Sequence, residues 1–197
     1  MVRRLAALLL PVVLLAACSA GSPEAAEPAA TAKVAATADC LAPQVLDELG
    51  LSGTGSGTGA VPPSSTAHGP APERGSVPAD FAATGVLVCV PGGTLVDGQG
   101  AWSSVVATRR GGDTDALVKA LALADQRSAD AAECGKAQPM DLWLTDALDR
   151  GVRVAFPINT CGGGPREEVT KALDAMVVTD VATYQVELVE PSPTPSS

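Results

Sequence analysis

Side chains able to carry chemistry are few in this sequence: five cysteines, a single histidine, grouped carboxylates and two tryptophans. Nucleophilic catalysis by serine or cysteine needs a base beside the nucleophile, usually a histidine oriented by a carboxylate. The only histidine, His68, lies in Pro- and Ser-rich low-complexity sequence, a poor place to hold a base. No GxSxG, Walker A or GxGxxG pattern occurs. The Gly53–Gly59 run has no strand before it and no helix after it, so it reads as linker and not as phosphate cradle. Asp113 and Asp115 could touch a cation, but a helix cap and a first-turn acid account for them more simply. Asp141, Asp146 and Asp149 cluster around a hairpin and read as solvated turn residues, not as an acid–base pair. Trp102 and Trp143 read as core. Neither CxxC nor His-rich spacing indicates zinc. The chain is expected to be no enzyme and to hold no cofactor or metal.

The N-terminus carries a signal of another kind. Met1-Val2-Arg3-Arg4 is a short basic region, and Leu5 to Ala17 is apolar, broken only by Pro11. That run is shorter than the roughly 20 apolar residues a membrane-spanning helix needs, and it has the dimensions of a secretory signal. Its end, Leu15-Ala16-Ala17-Cys18, resembles the lipobox of bacterial lipoproteins. The resemblance implies cleavage before Cys18, a diacylglycerol on the Cys18 sulfur, and acylation of the new α-amine. Two or three acyl chains anchor stably where one is marginal. The expected location is the extracytoplasmic face of the cell membrane.

Processing at that point would delete Arg3 and Arg4 but no acid, taking the formal charge from −9 to −11. So acidic a chain is unsuited to nucleic acid and to electrostatic adhesion on anionic lipid. With Cys18 assigned to lipid, Cys40, Cys89, Cys134 and Cys161 remain as an even set. In an oxidising compartment they are expected to form two disulfides, with three pairings open.

Outward from these residues, 18–38 is mainly Ala, Pro, Glu, Ser and Thr and reads as a flexible stalk. Residues 39–50 predict a short helix with Asp39 as cap, Pro43 in the first turn and a Leu41, Val45, Leu49 stripe. A Gly/Ser/Pro-rich linker follows over 51–80. The folded domain is placed at 81–190 and a disordered tail at 191–197. Gly85 to Val90 is a continuously apolar strand, and Asp97-Gly98 a tight turn leading to a second strand, Trp102 to Thr108. Asp113 or Thr114 caps a helix reaching about Gln126. Met140–Thr145 and Val152–Ile158 predict a hairpin in which Val152, Val154, Phe156 and Ile158 share one face and Arg153 and Ala155 the other. Pro165 is expected to open a helix whose first turn holds Glu167 and Glu168. A last strand is expected over Val181–Val189. Hairpins and short connections favour an α+β fold: a small antiparallel sheet of four or five strands, helices mainly on one face.

The run Asp141-Leu-Trp-Leu-Thr-Asp-Ala-Leu-Asp-Arg-Gly-Val-Arg-Val-Ala-Phe-Pro, continued by Cys161-Gly-Gly-Gly-Pro-Arg, resembles a group of uncharacterised actinobacterial secreted proteins and lipoproteins. That likeness implies no activity. The order strand, helix, cysteine, hairpin, cysteine, helix is similar, more faintly, to the subtilisin-inhibitor-like family. By that likeness Cys134 to Leu142 matches the region of the reactive loop, with Gln138, Pro139 and Met140 at its centre as partner contacts. The Gly-Thr-His-Pro stretch of many such inhibitors is absent here. The expected pairs are Cys134–Cys161, closing a moderate loop across the hairpin in agreement with that likeness, and Cys40–Cys89, tying the isolated helix to the first strand. The functional expectation is a lipid-anchored binding or accessory protein with an unidentified envelope partner or ligand. The alternative is a membrane-tethered protease inhibitor.

Overall fold

The computed structural model describes residues 29–51, 68–126, 134 and 136–192. Its elements in chain order are β1 (Val34–Ala35), α1 (Pro43–Glu48), β2 (Gly85–Pro91), β3 (Leu95–Val96) and β4 (Gly100–Gly111). Then come α2 (Asp115–Leu121), β5 (Asp141–Thr145), β6 (Gly151–Arg153), α3 (Glu167–Asp174) and β7 (Val177–Pro191). The strands form one sheet of seven, larger than the four or five expected, in the order β1-β6-β5-β2-β4, with β3 beside β2 along β4 and β7 on β4's other side. Every pairing between these strands is antiparallel. The added strands are the two-residue pieces β1 and β3, too short to leave a periodic signature.

β2 is central because its side chains are buried on both faces, as its unbroken apolar run requires. Val86 and Val88 point to one core with Leu142, Leu144, Val152 and Val154, covered by Leu117 and Leu121 of α2 and Val169 and Leu173 of α3. Leu87 and Cys89 point to the other with Val105, Ala107 and Trp143, covered by Val45 and Leu49 around α1. Two helices thus lie on one face and the third on the opposite one. Helices of six to eight residues are marginal in water, so this packing is what keeps them folded.

Helix ends differ in detail from their sequence signals. α1 begins after Ala42, and Asp39 instead accepts the Leu41 N–H (2.9 Å) in the preceding turn. At α2, Asp113 accepts the Asp115 N–H (2.9 Å) while the Thr114 hydroxyl donates to the Ala83 carbonyl (2.9 Å). α2 stops at Leu121, short of Gln126. α3 starts after Arg166, because Pro165 bridges to Ile158. Arg110 of β4 donates to the Leu173 carbonyl (2.7 Å), placing a cation at the negative end of α3. β6 ends at Arg153; Val154 still donates to the Leu142 carbonyl (2.9 Å) but bridges Gly75 on its other side.

Residues read as stalk and linker contribute to the sheet. β1 pairs with β6, Thr31 bridges Ser76, and Ala32 and Ala38 are buried. Their signal is shape and not hydrophobicity. A Cβ on Gly75 would lie 2.2 Å from the Ala30 carbonyl oxygen, and one on Gly151 would lie 2.9 Å from the Ala38 Cβ. Glycine and alanine here allow two segments to approach where larger residues would hold them apart.

Both disulfides form as expected, Cys40–Cys89 and Cys134–Cys161. The first fastens the turn before α1 to the centre of β2.

Candidate functional site

Two polar assemblies lie on the α1 face of the sheet. The first is buried. Asp141, the first residue of β5, and Arg153, the last of β6, point to the same side and have almost no solvent exposure. The Arg153 guanidinium donates to both Asp141 oxygens, with Nε at 3.1 and 2.9 Å. Arg74 adds a second guanidinium to Asp141 (Nη2 to Oδ2, 2.7 Å) and gives a hydrogen bond to the Met140 carbonyl (3.1 Å). Glu48 of α1 faces both arginines, at 2.6 Å from Arg74 and 3.0 Å from Arg153. Burial works against the Arg153 charge, but hydrogen bonds and the charges of Asp141 and Glu48 outweigh it and raise its pKa. With two cations and two anions, the cluster is electrically closed. It welds α1, the 72–74 segment and the β5–β6 hairpin together.

Asp141 therefore departs from its reading as a solvated turn residue. The legible signal was Arg153, the one charged residue within the apolar run Val152–Ile158. A buried cation needs an anion within reach, and a hairpin puts Asp141 there. Asp146 and Asp149 behave as turn residues. Asp146 caps the turn and pairs with Arg150, its pKa lowered: burial opposes this, and the Arg150 hydrogen bonds prevail.

The second assembly is open. A cleft of about 130 Å³ lies between residues 38–41 and the β4–β7 half of the sheet. Asp39, His68, Arg109, Asp180 and Tyr184 stand around it over a floor that includes Leu87 and Ala107. His68 Nδ1 is 2.6 Å from Asp39 Oδ2. The two side chains form one hydrogen-bonded pair at the cleft. Arg109 is turned to Asp149 at 3.0 Å. His68, dismissed in the sequence as linker, is thus brought to Asp39 across 29 residues. No local pattern carries that information.

Among the described residues, the lining of this cleft includes neither serine nor threonine, and its Cys40 is in a disulfide. Among the described residues no group of three or more His, Cys, Asp or Glu could hold a metal ion. The arrangement suits recognition of a cationic group by Asp39, Asp180 and the Tyr184 ring.

Gln138 and Pro139 are exposed in the extended segment before β5, close in sequence to the Cys134–Cys161 bridge. Met140 is half-buried and packs against the α2–α3 core. Cys18 lies outside the described residues. No protein-family model matches this chain, and no curated protein or solved structure does either.

Proposed function

We propose that this chain is a lipid-anchored, non-enzymatic binding or accessory module, held at the extracytoplasmic face of the cell membrane by Cys18. The observation that carries the binding role is the asymmetry of the sheet edges. One edge ends in the two-residue β1, while the other is the fifteen-residue β7, exposed along most of its length. Natural sheets blunt such edges unless they are used. The anchor rests on Leu15-Ala16-Ala17-Cys18, and among the described residues no helix is long and apolar enough to cross a membrane. Detergent-phase partitioning of wild type and Cys18→Ser tests it. The wild type is expected in the detergent phase as a processed, lipid-labelled form, and the variant as unprocessed precursor. Equal partitioning and processing of the two overturns the anchor.

A second reading, a tethered protease inhibitor, is favoured by the exposed Gln138-Pro139 segment next to a disulfide. Titration against subtilisin separates the two. Near-stoichiometric inhibition that is lost in Met140→Gly selects the inhibitor, and no inhibition selects the binding module.

A further inference from the structure

We propose that β7 receives an extended, basic segment of a partner protein as an added strand, and that a Lys or Arg of that segment enters the His68–Asp39 cleft across Ala182. The inference rests on the binding-module reading and names its surface and the chemistry of its partner.

The edge is built for addition over a short span. β7 departs from regular register with β4 at three places, where Thr179, Val186 and Val189 are the extra residues. Bulges obstruct pairing. Between the first two, Asp180 to Gln185 runs in unbroken register with β4. That span is long enough for the main-chain hydrogen bonds of strand addition. Apolar side chains stand in the open within and beside it: Val181 is 58% exposed and Tyr184 43%, and Val177 just before it 68%. No strand pairs with the outer side of β7 among the described residues.

Charge selects the occupant. β7 reads Val-Val-Thr-Asp-Val-Ala-Thr-Tyr-Gln-Val-Glu-Leu-Val-Glu-Pro, with three acids and no base. Asp180, Glu187 and Glu190 make no ion pair among the described residues, since the register neighbour of Asp180, Arg109, is held by Asp149. A second copy pairing through β7 would add three more acids and no base to the same edge. A basic strand would neutralise them.

The cleft adds a specific reader. Asp180, Ala182 and Tyr184 form its wall on the β7 side. The small Ala182 leaves a gap between an acid and an aromatic ring. A residue directly opposite Ala182 on an added strand would have its Cβ about 4.5–5.5 Å away on the same face. From there a Lys or Arg passes through the gap, its stem on Ala182 and its charge by Asp180, Asp39 and the Tyr184 face.

The test uses the full-length chain and a photo-crosslinking residue at Thr183 or, separately, at Gln138, in the native envelope. A crosslink from Thr183 to an extended Lys- or Arg-containing segment, weakened at least tenfold by Asp180→Lys, is the expected result. A crosslink from Thr183 to a second copy of this chain overturns the docking proposal but leaves the binding module standing, and a crosslink from Gln138 alone overturns the docking proposal in favour of the inhibitor reading. No crosslink from either site overturns both. In vitro, the detergent-solubilised chain is titrated with the peptide acetyl-Thr-Val-Thr-Arg-Thr-Val-Thr-amide and its Glu-for-Arg counterpart. The Arg peptide is expected to bind at least tenfold more tightly, with the preference lost in Ala182→Leu. Equal binding of both peptides, or a preference that survives Ala182→Leu, overturns the cleft as reader.

Discussion

Asp141 is buried where two guanidiniums meet it and Glu48 balances them. Removing one partner of such a pair leaves a buried charge uncompensated, which costs about 3–5 kcal/mol. Asp141→Asn is therefore expected to lower the unfolding free energy by that order, read as a lower urea midpoint at an unchanged m-value. Arg153→Met combined with Asp141→Leu should recover much of the loss, since well-packed apolar replacements of buried ion pairs are often neutral. Recovery would assign the network to folding and not to ligand binding. Asp97 shows the same chemistry at the surface. Hydrogen bonds from the Trp102 indole (3.0 Å), Gln185 (3.0 Å) and the Gln99 N–H (2.8 Å) hold its carboxyl at about 2, below the ordinary 3.8. Its folded pKa is lowered, so its contribution is complete above about 3.8 and is lost as pH falls through about 2. Glu168, lowered to about 2 chiefly by its hydrogen bond from Arg166, titrates in the same window. Tryptophan emission should change with a midpoint near 2, and Asp97→Asn should remove that component. An unchanged acid transition in the variant would dissociate Asp97 from Trp102.

Among the elements, β1 and the 75–76 segment are held by contact geometry more than by burial. Ala32 and Ser76 exchange backbone hydrogen bonds with neighbours across the strand pair, the Ala32 N–H reaching Ser76 O at 2.9 Å and the Ser76 N–H reaching Ala30 O at 2.8 Å. Gly75 sits where a Cβ would strike the Ala30 carbonyl and the Ala32 backbone, neither of which can rotate aside. Gly75→Ala is expected to separate this strand pair, costing on the order of 2 kcal/mol or more, in the range of a named backbone clash. Residues 29–38 should then become cleavable by protease under native conditions. Gly69→Ala, where a Cβ meets nothing within 4 Å, serves as the neutral control. Equal protease resistance of both variants would show that 29–38 does not depend on this approach. The β5–β6 hairpin was legible because its apolar alternation has period two. β1 was not, because two residues have no period and alanine contributes little hydrophobic signal.

For the molecule as a whole, the Cys40–Cys89 bridge decides whether the α1 layer stays on the sheet. It spans 49 residues, against 27 for Cys134–Cys161. Chain-entropy arguments give about 4 kcal/mol for the longer loop and slightly less for the shorter. Cys40→Ala with Cys89→Ala should cost roughly 2–5 kcal/mol. It should also expose Trp143, whose core is shared with Val45 and Leu49, as a red shift of its emission. A loss of stability with unshifted emission would place the α1 layer's hold elsewhere, in the Glu48–Arg153–Arg74 network. By itself the sequence determined the apolar central strand, the hairpin, the even cysteine set and the α+β class, because each is written in local order, composition or short-period pattern. The β4–β7 seam, the burial of Asp141, the meeting of His68 with Asp39, and the use of residues 31–38 and 75–76 in the sheet were decided only by tertiary structure. Each joins segments distant in the chain through shape and charge complementarity, and such complementarity exists only once both partners are in place.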